Sequence, residues 1–154
     1  MGIECVVKYR SISVIFCNKH MKTKVTLEAS DVATLLQACA DHATQNNWAV
    51  SIAVVDDGGH LLGMVRLDRA SALSAHICIA KAHTAALGRR DSKDYEDIIN
   101  GGRTAFLSAP LVSGMLEGGV AILKDAVCLG AVGVSGVKSS EDAEVARAGI
   151  SALG

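Results

Sequence analysis

The sequence predicts an α+β fold, one antiparallel sheet flanked by helices, and three observations lead there. Two apolar segments, 51–56 and 60–66, flank Asp57, Gly58 and Gly59, which offer the positive-φ positions of a tight hairpin. A second strand-like pair, 118–123 and 126–134, flanks a turn at Lys124 and Asp125. Around these pairs lie segments with helical apolar spacing. Adjacent hairpins imply antiparallel pairing with helices packed on the sheet, not a doubly wound parallel sheet.

The elements follow in order. An apolar run from Ile12 to Cys17 stands behind Lys8 and Arg10. It is too short for a secretory signal, and no small-residue cleavage site follows. Residues 1–20 are therefore expected to be an N-terminal extension, non-native or disordered, ahead of a single domain over 21–154. Residues 25–27 are expected to form a short strand. Ser30 or Asp31 can cap a helix carrying Val32, Leu35, Leu36, Cys39, Ala40 and Ala43 at helical spacing. Gln45, Asn46 and Asn47 break it before the first hairpin.

Residues 71–90 predict a long Ala-rich helix, ended by Gly88 or by Arg89, Arg90 and Asp91. Residues 92–118 are less regular, with a helical piece over 95–100 and the only proline, Pro110. Long irregular segments of this kind often lie over a site. Ser139 with Asp142 approximates a capping box for a last helix bearing Ala143, Ala146, Ile150 and Leu153.

Composition bounds the partners. The 154 residues, half of them apolar, suffice for one domain with a core. With 15 Lys and Arg against 16 Asp and Glu, no electrostatic feature points to nucleic acid or an anionic membrane. No segment approaches membrane-spanning length. Two Phe, two Tyr and one Trp leave the core to Ala, Val, Leu and Ile, and small-residue faces of this kind suit self-association. Five widely spaced cysteines with no paired C-x-x-C behave as buried thiols of a reducing compartment, so a cytoplasmic location is expected.

Candidate chemistry centres on histidines. His76 and His83, seven residues apart, fall within about 20° on one helix face and roughly 10 Å apart along the axis, too far for one small metal ion. Leu73, Ala80 and Leu87 share that face, which is expected to be buried or interfacial. The pair are either hydrogen-bonded core or interface groups, or the lining of a pocket for a large planar ligand, where one could be an axial ligand to iron. Lys81 and Thr84 lie beside them, positioned to reach a ligand carboxylate or phosphate, unless Lys81 is an ordinary exposed lysine. His60 and Arg66, six residues apart on the second strand, share a face with Leu62 and Met64. An anionic ligand would partner Arg66 there. The glycines at 130, 133 and 136 lack dinucleotide-loop spacing and mark close packing or bulges. Ser135 has no assignable acid-base partner, so no catalytic triad emerges.

Four motifs then occur in order: 53–56 through Gly59, His60 and Leu61; Arg66 to Ala70; Ala80 to Ala85; and Gly118 and Gly119 with 130–136. Over about 22–153 these resemble the GlcG/HbpS-like family, which includes the C-terminal domain of PduO-type proteins. The resemblance implies a profilin-like three-layer α-β-α domain that assembles into dimers and often octamers and binds haem. Some members are linked to haem degradation, redox sensing or corrinoid binding, and their genes often accompany glycolate, glycerol or propanediol metabolism; for this chain haem is the expected cofactor ahead of a corrinoid. The resemblance suggests a haem-binding accessory oligomer; because the iron ligand differs between relatives, the site candidates stay those read from this chain, Arg66, Lys81, Thr84 and Gly119 for ligand binding and His83, His76 or His60 facing the iron. An enzyme acting on haem or a small carboxylate, and a non-catalytic assembly factor, are the alternatives. Departures include Ala121 where relatives have proline and Arg69 where many have glycine, and His83 occupies the variable position of its motif.

Overall fold

A computed structural model describes residues 6–9, 12–15 and 23–154 of the chain. Strands β1 (Val6–Tyr9) and β2 (Ile12–Ile15), within the expected extension, pair antiparallel as a separate two-stranded sheet. The main sheet has four antiparallel strands, β3 (Ser51–Asp56), β4 (Leu61–Arg66), β5 (Gly119–Lys124) and β6 (Val127–Ser135), in the order β4-β3-β6-β5. Helices α1 (Ala29–Gln45) and α4 (Ser139–Ser151) cover one face. Helix α2 (Ala72–Gly88) covers the other and leads into α3 (Ser92–Asn100) and a 3-10 turn, η1 (Thr104–Ser108). This is the α+β arrangement of helix, sheet and helix layers that the hairpins imply.

Cross-strand partners point to the same face of a sheet, so the register assigns every side chain to a layer. Ile52, Val54, Val132, Val134, Val120 and Ile122 face α1 and α4, where they form the main core with Val32, Leu35, Cys39, Val145 and Ala146. The α2 face is built from small residues: Ser51, Ala53 and Val55 on β3, Ala131, Gly133 and Ser135 on β6, Gly119 and Ala121 on β5. With so little side chain beneath it, α2 settles directly on the sheet through Ala82, Ala85 and Ala86. A Cβ at Gly133 would fall on the Cys78 carbonyl and within 2.5 Å of the Ala82 nitrogen. That glycine marks close helix-to-sheet approach, as its place inside a strand suggests.

Four local expectations change. Residues 25–27 belong to neither sheet; Leu27 instead packs against the main core beside Gly130. Helix α1 starts at Ala29, with the Glu28 N–H donating to Asp31, so Asp31 serves from the third helical position. Helix α4 is capped from Lys138, whose N–H donates to Glu141, and Asp142 is engaged elsewhere. The β3–β4 turn forms as expected, with Gly59 at φ +81° and the Gly58 and His60 N–H groups donating to Asp56. The second hairpin turns on Asp125 and Ala126, both left-handed at φ +49° and +62°, one residue beyond the expected position.

Candidate functional site

Helix α2 is anchored by Ser71, whose side chain accepts from the Ser74 N–H, and ends at Arg89 in the left-handed conformation. Its buried face is polar or small: Ser74, Cys78, Lys81, Ala82, Thr84, Ala85 and Ala86. The larger apolar stripe points away from the sheet, with Leu73 65% and Leu87 39% exposed. Of the two readings of this stripe, buried or interfacial, burial within the chain does not hold, because only small side chains fit between α2 and the Ala- and Gly-rich sheet.

Beside that outward stripe lies a cavity of about 660 Å³. His76, Ile79, Ala80 and His83 form its α2 wall, and Leu107, Ala109, Leu111, Val112, Ser113 and Met115 form the opposite wall. The irregular segment after α3 thus does lie over a site. His76 is exposed and His83 half-buried. Among the described residues, neither imidazole has a hydrogen-bond or ion-pair partner. The His83 ring is seated against the β3–β4 turn, where a Cβ on Gly59 would lie 2.5 Å from Cδ2.

The other candidates divide into supporting and outlying groups. Thr84 is fully buried, and its hydroxyl accepts from the Gly114 N–H at 3.1 Å. Gly114 in turn lies on the Ala80 backbone, closer than any side chain permits. Gly119 crosses α2 at the Lys81 carbonyl, and its N–H donates to the Ser92 hydroxyl at 2.8 Å. Thr84 thus holds the covering segment on α2 and Gly119 ties β5 to α2 and α3, and neither lines the cavity.

Lys81 is 3% exposed and crosses beneath Gly118 to the far layer, where its Nζ donates to Asp142 at 2.8 Å and to the Val134 carbonyl at 3.0 Å. It is not the exposed lysine its helix position allowed, and its charge is engaged inside the chain. Burial pushes the Asp142 carboxyl above its ordinary range, and the hydrogen bond from Lys81 opposes that rise. His60 points into solvent with its side chain 80% exposed, paired with Asp56 at 3.0 Å, and does not join the other histidines. Arg66 is exposed on edge strand β4 opposite Ser51, near the N-terminal end of α2, where Ser51 bonds Ser74 at 2.8 Å.

The sequence placed an irregular segment over a site but named none of the residues of this second wall; Leu107 and Leu111, 68% and 81% exposed, lie in it. Among the described residues no group of three or more metal-ligating side chains occurs, and no helix is long and apolar enough to cross a membrane.

Residues 27–151 match the family model described as haem degrading protein HbpS-like. The chain belongs to the HbpS-like family. It is 52% identical over 115 residues to Protein GlcG of Escherichia coli strain K12, an alignment covering 75% of this chain and 85% of that one. The crystal structure of HbpS superposes with a TM-score of 0.80 at 25% identity, covering 87% of this chain and 94% of that one. The crystal structure of a PduOC:heme complex gives a TM-score of 0.73 at 26% identity, with 83% and 95% covered. The sequence motifs and the three-layer fold thus lead to the same HbpS-like family.

Proposed function

We propose that this chain binds haem in the cavity between α2 and the segment after η1, with His83 facing the iron and His76 nearer the mouth, and that it works as a homo-oligomer. The observation that carries the reading is two imidazoles without protein partners in the wall of one apolar cavity. A volume of about 660 Å³ lies within the roughly 300–1,000 Å³ of small-molecule sites, whose walls are mostly apolar with a few placed polar groups. Haem supplies an iron centre for one-electron and oxygen chemistry when bound. The chain supplies an imidazole seated against Gly59, mostly apolar walls, and a covering segment fixed by Thr84. The PduOC:heme complex adds support from a related fold.

Self-association is supported by large exposed apolar side chains, Leu107 and Leu111 on the cavity wall at 68% and 81% exposure and Leu73 on α2 at 65%, because exposed apolar surface of this kind favours an interaction face. Buried Cys39, Cys78 and Cys128, all free thiols, fit a reducing, cytoplasmic setting.

Hemin titration followed by the Soret band tests the reading. Saturable binding is expected for the wild-type chain, with the band moved in His83→Ala and little changed in His60→Ala. Absence of a saturable change would refute it. Loss of the Soret band on adding reductant and oxygen would extend the function from binding to degradation.

A further inference from the structure

Four side chains at the α2–α3–η1 junction form a ladder. Tyr95 of α3 and Phe106 of η1 meet edge to face, with centroids 5.6 Å apart. The Arg90 guanidinium carbon lies 4.2 Å from the Tyr95 centroid, and that of Arg103 lies 4.8 Å from the Phe106 centroid. Each ring of an interlocked pair therefore carries one cation, and stacking fixes the plane of a guanidinium. Tyr95 is itself pressed against Gly88, the last residue of α2.

These cations have no anion of their own. Among the described residues neither Arg90 nor Arg103 has a carboxylate within ion-pair distance. Asp91, next in the chain to Arg90, is engaged by the Ala121 N–H at 3.1 Å and by Arg147 at 3.2 Å. The Nε of Arg90 is buried with no hydrogen-bond partner, alone in this among the described side-chain nitrogen and oxygen atoms. Buried donors are ordinarily satisfied, so Arg90 lacks its full set of acceptors; the residue is only half-buried, and an incoming carboxylate would meet the terminal nitrogens of its fork, not Nε.

The ladder shares its elements with the cavity. Leu107, which follows Phe106 in η1, lines the cavity, and Arg90 follows the helix that carries His83. Neither arginine lines the cavity itself, but both sit on or next to the elements that wall it, and a planar guanidinium fork suits a carboxylate group, which it binds bidentately. We infer that Arg90 and Arg103 form a carboxylate-binding subsite that takes the acid side chains of the tetrapyrrole; the inference rests on the haem reading above. The subsite replaces Lys81 in the role of anchor, because that lysine is committed to Asp142. It also differs from Arg66, which stands near the opposite end of α2.

Dissociation constants for haem and for its dimethyl ester, in which both acid groups are masked, test the inference on the full chain. The Soret titration is run on the wild type, Arg90→Gln, Arg103→Gln and the double variant. The wild type is expected to prefer the free acid by about tenfold or more. Each single variant is expected to lose about tenfold in affinity for the acid with little change for the ester, as fits loss of one charge-assisted contact, and the double variant to lose the preference. A wild type that binds acid and ester alike would overturn the subsite and leave the haem reading standing. Variants that weaken acid and ester equally would also overturn it, because that pattern marks a structural role for the ladder. A wild type that binds neither would refute the haem reading and the subsite together.

Discussion

Replacing Lys81 with Met removes one partner of an ion pair whose two side chains are each 3% exposed. Asp142 would keep the Val137 N–H at 3.2 Å as a donor and lose the ammonium at 2.8 Å. Leaving a buried charge without its partner costs about 3–5 kcal/mol. At ~2–4 °C per kcal/mol for a chain of this size, Tm should fall by roughly 6–20 °C. Urea and thermal unfolding at neutral pH measure this directly. The sign of the pH dependence is fixed by Asp142, whose carboxyl is already raised by burial. A carboxyl raised in the folded state takes up its proton more readily folded than unfolded. The Lys81→Met penalty should therefore be largest above that raised value and shrink as pH falls through it. Adding Asp142→Leu should recover much of the loss, since apolar replacement of a whole buried pair is often neutral or stabilising. A penalty below about 1 kcal/mol, or one unaffected by Asp142→Leu, would refute the role given to the pair.

Three further outcomes are expected. Gly133→Ala should destabilise by at least about 1–3 kcal/mol in urea unfolding, because its Cβ would fall on the Cys78 carbonyl and the Ala82 nitrogen of α2. Burial pushes the Cys39 thiol up to about 12 and the Cys78 thiol up to about 11; both should resist a thiol reagent at pH 8 in the folded chain and react on unfolding. The Asp56 carboxyl is lowered from 3.8: desolvation, the largest single contribution, raises it, and hydrogen bonds from His60 and Gly58 with the His60 charge together outweigh that. A lowered carboxyl stabilises above its unfolded value and loses that contribution as pH falls through its folded value, so the stability gap between wild type and Asp56→Asn should narrow below about pH 4.

Both hairpins and all four α-helices, α3 only over its last six residues, were legible in the sequence, because turn residues and apolar spacing act locally. Helix α2 shows where that logic stops. Its spacing located the helix and the stripe of Leu73 and Leu87, read as buried or interfacial, but could not tell that the face buried within the chain is the one bearing Ala82, Ala85 and Ala86. The choice was made by the sheet, whose Gly119, Ala131 and Gly133 leave room for nothing larger. Lys81 was unreadable for a related reason: its partner Asp142 lies 61 residues away and in the opposite layer. The short strand expected at 25–27 failed because segment and sheet edge do not pair, and periodicity contains no information about pairing. His76 and His83 were found by helical arithmetic alone. The wall facing them, and the arginines stacked on Tyr95 and Phe106, depend on how the irregular segment after α3 folds back.

The central claim is that haem occupies the space between α2 and the segment after η1. Ala80 lines that space without offering a ligand atom, so Ala80→Trp fills it and leaves every histidine and arginine in place. Soret titration of a folded Ala80→Trp chain is expected to show haem uptake abolished or weakened by at least about tenfold, a loss of about 1.4 kcal/mol. Uptake equal to the wild type would place haem elsewhere and contradict the account.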